Sequence, residues 1–175
     1  MPTPAWLQER LFERRIVFVT GRLDDALAGQ AAAQIMALDA SGDDPIDVVI
    51  DSADGTLEAA FVLIDVIDGA RVTVRVHCHG LVGGPAVGVA AAADQRTASA
   101  HATFRLAAPP THVSGTPEQI AAQSQQHRGL LWRFQARLAK ATGRAAEDIA
   151  DDMRRARYLD ARGALDYGLI DTIKS

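Results

Sequence analysis

The chain has 175 residues, a net charge of -4 and 23% charged residues, which bounds it to one globular domain large enough for a sizeable core. The mildly acidic balance gives no sign of nucleic acid or an anionic membrane as partner. Cys78 is the only cysteine, so no disulfide forms within the chain and a cytoplasmic location is expected.

The opening MPTPAWLQERLFERR lacks the apolar centre of a signal peptide. The longest apolar run, Leu81 to Ala93, is 13 residues and is broken by Gly and Pro, too short to span a bilayer. Residues 1–12 are expected to form a separate N-terminal segment whose Trp6, Leu7 and Leu11 pack either on a neighbour or on their own domain. Residues 13–175 are expected to form a single domain.

Arg15 to Thr20 is a short β-rich run closed by Gly21. Asp24 and Asp25 then offer an N-cap, and Leu27, Ala31, Ile35 and Leu38 make one apolar helix face. Ser41 to Pro45 is turn chemistry. Ile46 to Ile50 is a strand of the buried type, followed by the turn Asp51 to Thr56. A helix follows with Leu57, Ala60, Phe61, Ile64 and Ile67 toward the core. Val72 to Cys78 is the next strand. Alternation at this spacing predicts βαβ units and a largely parallel sheet, with functional sites at the carboxyl ends of strands.

After Cys78 the chain turns at Gly80, Gly83 and Gly84 and enters a small-residue helix through Ala86 to Ala93. A strand feeding a glycine turn and a helix is where many hydrolases hold a nucleophile. Here the turn reads Gly83-Gly84-Pro85 and offers no Ser, Cys or Thr. Ala102 to Leu106 reads as a further strand ending at Pro109-Pro110. The longest helix is predicted from Glu118 to about Ala141; its first half, with few large apolar groups, is expected to project as a handle (about 108–130). Gly143 ends it. A helix over Ala146 to Arg155 follows, then an extended piece at Arg157 to Leu159, and a last helix capped by Asp160 and stopped at Gly168.

Three segments carry a resemblance. Glu13 to Gly21 is similar to the first strand of the Clp protease proteolytic subunit (ClpP) family. Ile50-Asp51-Ser52-Ala53-Asp54-Gly55-Thr56 stands where that family has Ile-Asn-Ser-Pro-Gly-Gly-Ser. Ala164 to Asp171 resembles its Ala-Val-Glu-Tyr-Gly-Leu-Ile-Asp. The resemblance covers roughly Leu11 to Ile173. It implies an α/β fold of the ClpP/crotonase type with repeated ββα-type units and a projecting handle helix.

The family works through a Ser-His-Asp triad and two backbone N–H groups. By resemblance, the Ser falls on Gly84, the His on Ala107 and the Asp on Ala156. The N–H donors fall on Gly55 and on Pro85, which has no N–H. Losing one such donor costs about 2.7–4 kcal/mol of transition-state stabilisation, and losing the triad roughly a million-fold in turnover.

No stand-in is evident. His101 lies too far along its strand from Ala107, and His79 and His112 have no fixed partner. Ser52 and Thr56 sit near the mouth of the site. Asp151 and Asp152 read as solvated surface charges. His77 and His79 alternate with Cys78, so they face away from it and make a poor metal site. Cys78 itself reads as a buried, inert thiol. No metal or cofactor is expected.

The resemblance implies a degenerate, ClpR-like subunit in heptameric or tetradecameric rings, alone or mixed with active Clp subunits, with a Clp unfoldase ATPase as a further partner. Pro109 and Pro110 remove two donors where active members line up bound peptide. The N-terminal segment leaves little chain for the family's axial loops. The alternatives are an active Clp-type serine peptidase with a rebuilt site, and a crotonase-like enzyme that binds acyl-CoA.

Overall fold

A computed structural model describes residues 4–174. Two sheets form the frame. The larger has five strands in the order β1-β2-β3-β5-β8, all parallel: β1 (Ile16–Thr20), β2 (Ile46–Asp51), β3 (Val74–Cys78), β5 (Gln95–Ser99) and β8 (Thr172–Lys174). The smaller has three strands: β4 (Leu81–Gly83), β6 (Thr103–Leu106) and β7 (Arg157–Asp160). In it β4 runs parallel to β6, and β7 antiparallel. The sequence predicts one largely parallel sheet; the division into two follows from Gly80, whose backbone at φ +54 redirects the chain after β3.

Helices α2 (Asp25–Ser41), α3 (Leu57–Gly69) and α4 (Pro85–Ala92) bury the inner face of the larger sheet. Each start is set by its own chemistry. Asp24 Oδ1 accepts from Leu27 N at 2.9 Å, and Thr56 Oγ1 from Ala59 N at 3.2 Å. The predicted apolar faces are the buried ones, except that Leu27 and Phe61 are only half-buried. The carboxyl end of α2 is closed by Arg15, whose guanidinium donates to the carbonyls of Leu38, Gly42 and Asp44. A cation on unsatisfied terminal carbonyls is doubly favoured, by hydrogen bonding and by the helix dipole.

The N-terminal residues Ala5–Glu13 form α1, which has no buried residue. Leu7 and Leu11 lie over β1 and, with Ile16, Phe18 and Leu27, line a groove of about 360 Å³. Trp6 points away from it and is 66% exposed.

The long helix α5 (Pro117–Thr142) has two characters. Thr116 and Gln119 form a reciprocal capping box at its start. No residue from 117 to 129 is buried, whereas Leu130, Phe134 and Leu138 are. Phe134 lies edge-on to Phe61 of α3, ring centres 6.4 Å apart, and fills the place a side chain on Gly88 of α4 would take. α6 (Ala146–Arg154) and α7 (Ala161–Tyr167) complete the fold. Gly143 and Gly168 end α5 and α7 in the left-handed conformation. No helix among the described residues is long and apolar enough to cross a membrane.

Candidate functional site

The two predicted strand-end turns come together. The turn after β2 is tied to the first strand region by Gly21 N to Asp51 O (3.0 Å), Leu23 N to Asp54 O (2.9 Å) and Thr56 N to Leu23 O (3.0 Å). Gly55 is buried with its Cα against the Leu23 carbonyl, so that any Cβ would overlap it. Gly83 N donates to Ser52 O at 2.9 Å, which joins this turn to the second one. Gly83 in turn has the Ala53 carbonyl where a side chain would be. The glycines here are contact requirements, not flexible joints.

Gly84 forms the elbow between β4 and α4. Its backbone has φ +52 and ψ -124, a strained geometry of the type that exposes a nucleophile between a strand and a helix. Its N–H donates to Arg105 O at 2.9 Å. A Cβ on Gly84 would meet no clash, only an ordinary van der Waals contact with the Ala107 carbonyl at 3.6 Å. Pro85 is the first residue of α4, a favoured place for proline, and contributes no donor.

Sheet register places the other two positions. Leu106 pairs with Arg157 at the end of the β6–β7 ladder. The next residues outward are Ala107, following β6, and Ala156, preceding β7. The three positions Gly84, Ala107 and Ala156 therefore gather at one end of the smaller sheet. None of the three carries a side chain beyond a methyl group. Ala156 adopts φ 49, a left-handed conformation that costs an ordinary L-residue roughly 1–2 kcal/mol. Asn tolerates it better. We expect Ala156→Asn to raise the unfolding free energy by about 1 kcal/mol, measured by denaturant titration; a loss of stability would contradict the left-handed turn.

Other candidates lie elsewhere. Ser52 is buried, and its Oγ donates to Asp54 O at 3.3 Å inside its own turn. His101 and His112 are exposed, in the turn before β6 and in the loop before α5. Thr56 is spent on capping α3. Cys78 is fully buried, and burial pushes its thiol up to about 12. His77 faces the open side of the larger sheet, while His79 lies past the end of β3 and is exposed.

The expectation of solvated charge at Asp152 is corrected. Its side chain is only 14% exposed, accepts the Tyr167 hydroxyl at 2.7 Å and pairs with Arg157 at 3.1 Å. Arg144 stacks on the same Tyr167 ring at 3.9 Å and bonds its carbonyl. Burial, then Asp152, raises the Tyr167 phenol above its usual range. This cluster braces the turn that holds Ala156. Asp151, by contrast, is half-exposed and pairs with Arg154.

Sequence reasoning missed Arg105. It sits on β6 between Gly83 and Tyr158, and its guanidinium donates to the Ala53 carbonyl at 2.7 Å. Arg22 pairs with Asp54 at 2.5 Å on the other side of the same turn. Both lock the 51–56 turn to its neighbours. Only the alternation of β6 pointed to Arg105, and its partner carbonyl is 52 residues away.

The model of the Clp protease family matches residues 5–175. The chain belongs to the Clp protease family. It is 32% identical over 167 residues to the ATP-dependent Clp protease proteolytic subunit 4 of Rhodococcus jostii (strain RHA1), covering 94% of this chain and 86% of that one. It is 32% identical over 162 residues to the ATP-dependent Clp protease proteolytic subunit of Paracoccus denitrificans, covering 91% and 81%. The ATP-dependent Clp protease proteolytic subunit 1 of Corynebacterium jeikeium (strain K411) is 31% identical over 170 residues, covering 94% and 89%. The α/β architecture fits that family, and nothing in these comparisons points to the acyl-CoA alternative.

Proposed function

We propose that this chain is a proteolytically inactive Clp subunit that builds heptameric or tetradecameric rings with a structural or regulatory role. One observation carries this: the strand-end positions where the family's Ser, His and Asp are expected hold Gly84, Ala107 and Ala156. Side chains of this kind cannot attack a carbonyl or move a proton. Pro85 removes one oxyanion donor as well. The elbow, the turn at Gly55 and the family architecture remain, which favours assembly as the retained property.

Ring pairing falls to α5, whose exposed first half includes Ile120 at 37% exposure. A row of thirteen unburied positions on a well-capped helix offers a surface for contacts outside its own domain. Partners are copies of this chain or active Clp subunits, with a Clp unfoldase ATPase as the further candidate.

Native mass spectrometry tests the assembly, on the chain alone and after mixing with an active Clp subunit. The expected result is a particle of seven or fourteen subunits in at least one of the two samples. A monomer in both would overturn the ring assignment.

A further inference from the structure

On the open face of the larger sheet, three strands send polar side chains to one imidazole on a fourth. His77 on β3 has Nε2 at 2.9 Å from Asp47 Oδ1 of β2. Its Nδ1 is 2.7 Å from Thr97 Oγ1 of β5 and 3.1 Å from Lys174 Nζ of β8. Asp47 is also held by Arg75, through Nε and a terminal nitrogen, each at 2.8 Å. The charged groups facing the ring are thus Asp47 from β2, Arg75 from β3 itself by way of Asp47, and Lys174 from β8; β5 contributes the neutral Thr97. The His77 side chain is 17% exposed, shielded but within reach of solvent.

We propose that His77 is a proton-operated clasp on the C-terminal strand, holding Lys174 when neutral and releasing it when protonated. With Nε2–H donating to Asp47, a neutral ring leaves Nδ1 as an acceptor for the Lys174 ammonium. A proton on Nδ1 makes it a donor and sets two cations face to face. Thr97 serves both states: its hydroxyl, 2.7 Å from Nδ1 and 3.2 Å from the Val76 carbonyl, donates to the neutral ring beside Lys174 and, when Nδ1 carries a proton, turns to Val76 and accepts from Nδ1–H. Burial raises Asp47, but the hydrogen bonds from Arg75 and His77 outweigh it and hold the carboxyl below the usual range. Asp47 therefore stays charged beside the ring.

The strand at stake is weakly held. β8 is three residues long, lies at the sheet edge and, among the described residues, pairs only with β5. It is also anchored by Ile173, which packs on the core, and just before the strand by the Arg96–Asp171 pair at 2.7 Å. Loss of the Lys174 contact frees the distal end and opens the edge of β5 at Thr97–Ser99 to another strand.

Amide hydrogen exchange on the full chain tests this at pH about 7.5 and about 5.5, with rates corrected for intrinsic pH dependence. Protection over Thr172–Lys174 is expected to fall about tenfold or more at the lower pH, the scale of one lost charge-assisted hydrogen bond, while β2 keeps its protection. His77→Gln should show no pH-dependent change, and Lys174→Met should be unprotected at both pH values. Equal wild-type protection at the two values, a fall that persists in His77→Gln, or a parallel loss in β2 would each overturn the clasp.

Discussion

Replacing Gly84→Ser, Ala107→His and Ala156→Asp together with Pro85→Ala is expected to install hydrolase activity at the Gly84 elbow. The gain should be read as labelling of residue 84 by a fluorophosphonate and as turnover of a small ester. The elbow backbone at φ +52 and ψ -124 already has the strained form, and a Cβ at position 84 has room. Asp accepts the left-handed backbone that Ala156 tolerates poorly. Pro85→Ala returns a missing N–H at the start of α4. Keeping Pro85 in the triple variant should leave the rate about 10²–10³ lower, the usual effect of one lost oxyanion donor. The effect of the triad itself is larger, roughly a million-fold where such groups have been removed. A folded quadruple variant with no labelling at residue 84 would mean that the three positions do not converge as the strand register implies.

The second large effect concerns stability. Phe134→Ala is expected to destabilise the chain by about 3–5 kcal/mol, measured by denaturant unfolding with circular dichroism. Phe134 is 1% exposed, packs edge-on against Phe61 and fills the hollow above Gly88. Its loss leaves a cavity where α5 joins α3 and α4, and Gly88, with no side chain, cannot fill it. Ile120→Ala on the exposed half of the same helix should change subunit stability by less than about 0.5 kcal/mol. Equal effects at the two positions would contradict the division of α5 into a docked half and a free half.

What the sequence made legible depended on how each element is stabilised. α2 and α3 announced themselves because they bury one apolar face and carry their own caps, Asp24 and Thr56. β2 and β3 were visible as short apolar runs. β5 was not: Gln95-Arg96-Thr97-Ala98-Ser99 has one buried residue, Ala98, and is a strand only because β3 and β8 flank it. β4 is three residues between glycines, too short for any periodicity, and α1 has neither a side-chain N-cap bond nor a buried residue. The split into two sheets lay in the turn at Gly80 and in register, which no local pattern encodes.

At the candidate site the same distinction holds. Gly84 and Pro85 stood out because a glycine turn between a strand and a helix is a local signal. Ala107 and Ala156 became visible only through family resemblance, since an alanine advertises nothing by itself. Their gathering at one sheet end rests on the β6–β7 pairing between residues about fifty apart. Asp152 was misjudged for a related reason. Its partner Tyr167 lies 15 residues further on, on another helix, and only the tertiary fold turns that carboxylate from a surface charge into a brace.

The central claim, that the chain lacks a serine hydrolase centre, is tested most directly by exposing the purified protein to a fluorophosphonate and mapping any adduct by peptide mass spectrometry. No serine is expected to be labelled, with Ser52 buried in its turn and position 84 a glycine. Stoichiometric labelling of Ser52 or of any other serine, abolished by unfolding the protein first, would contradict the account and reveal a nucleophile built outside the Gly84 elbow.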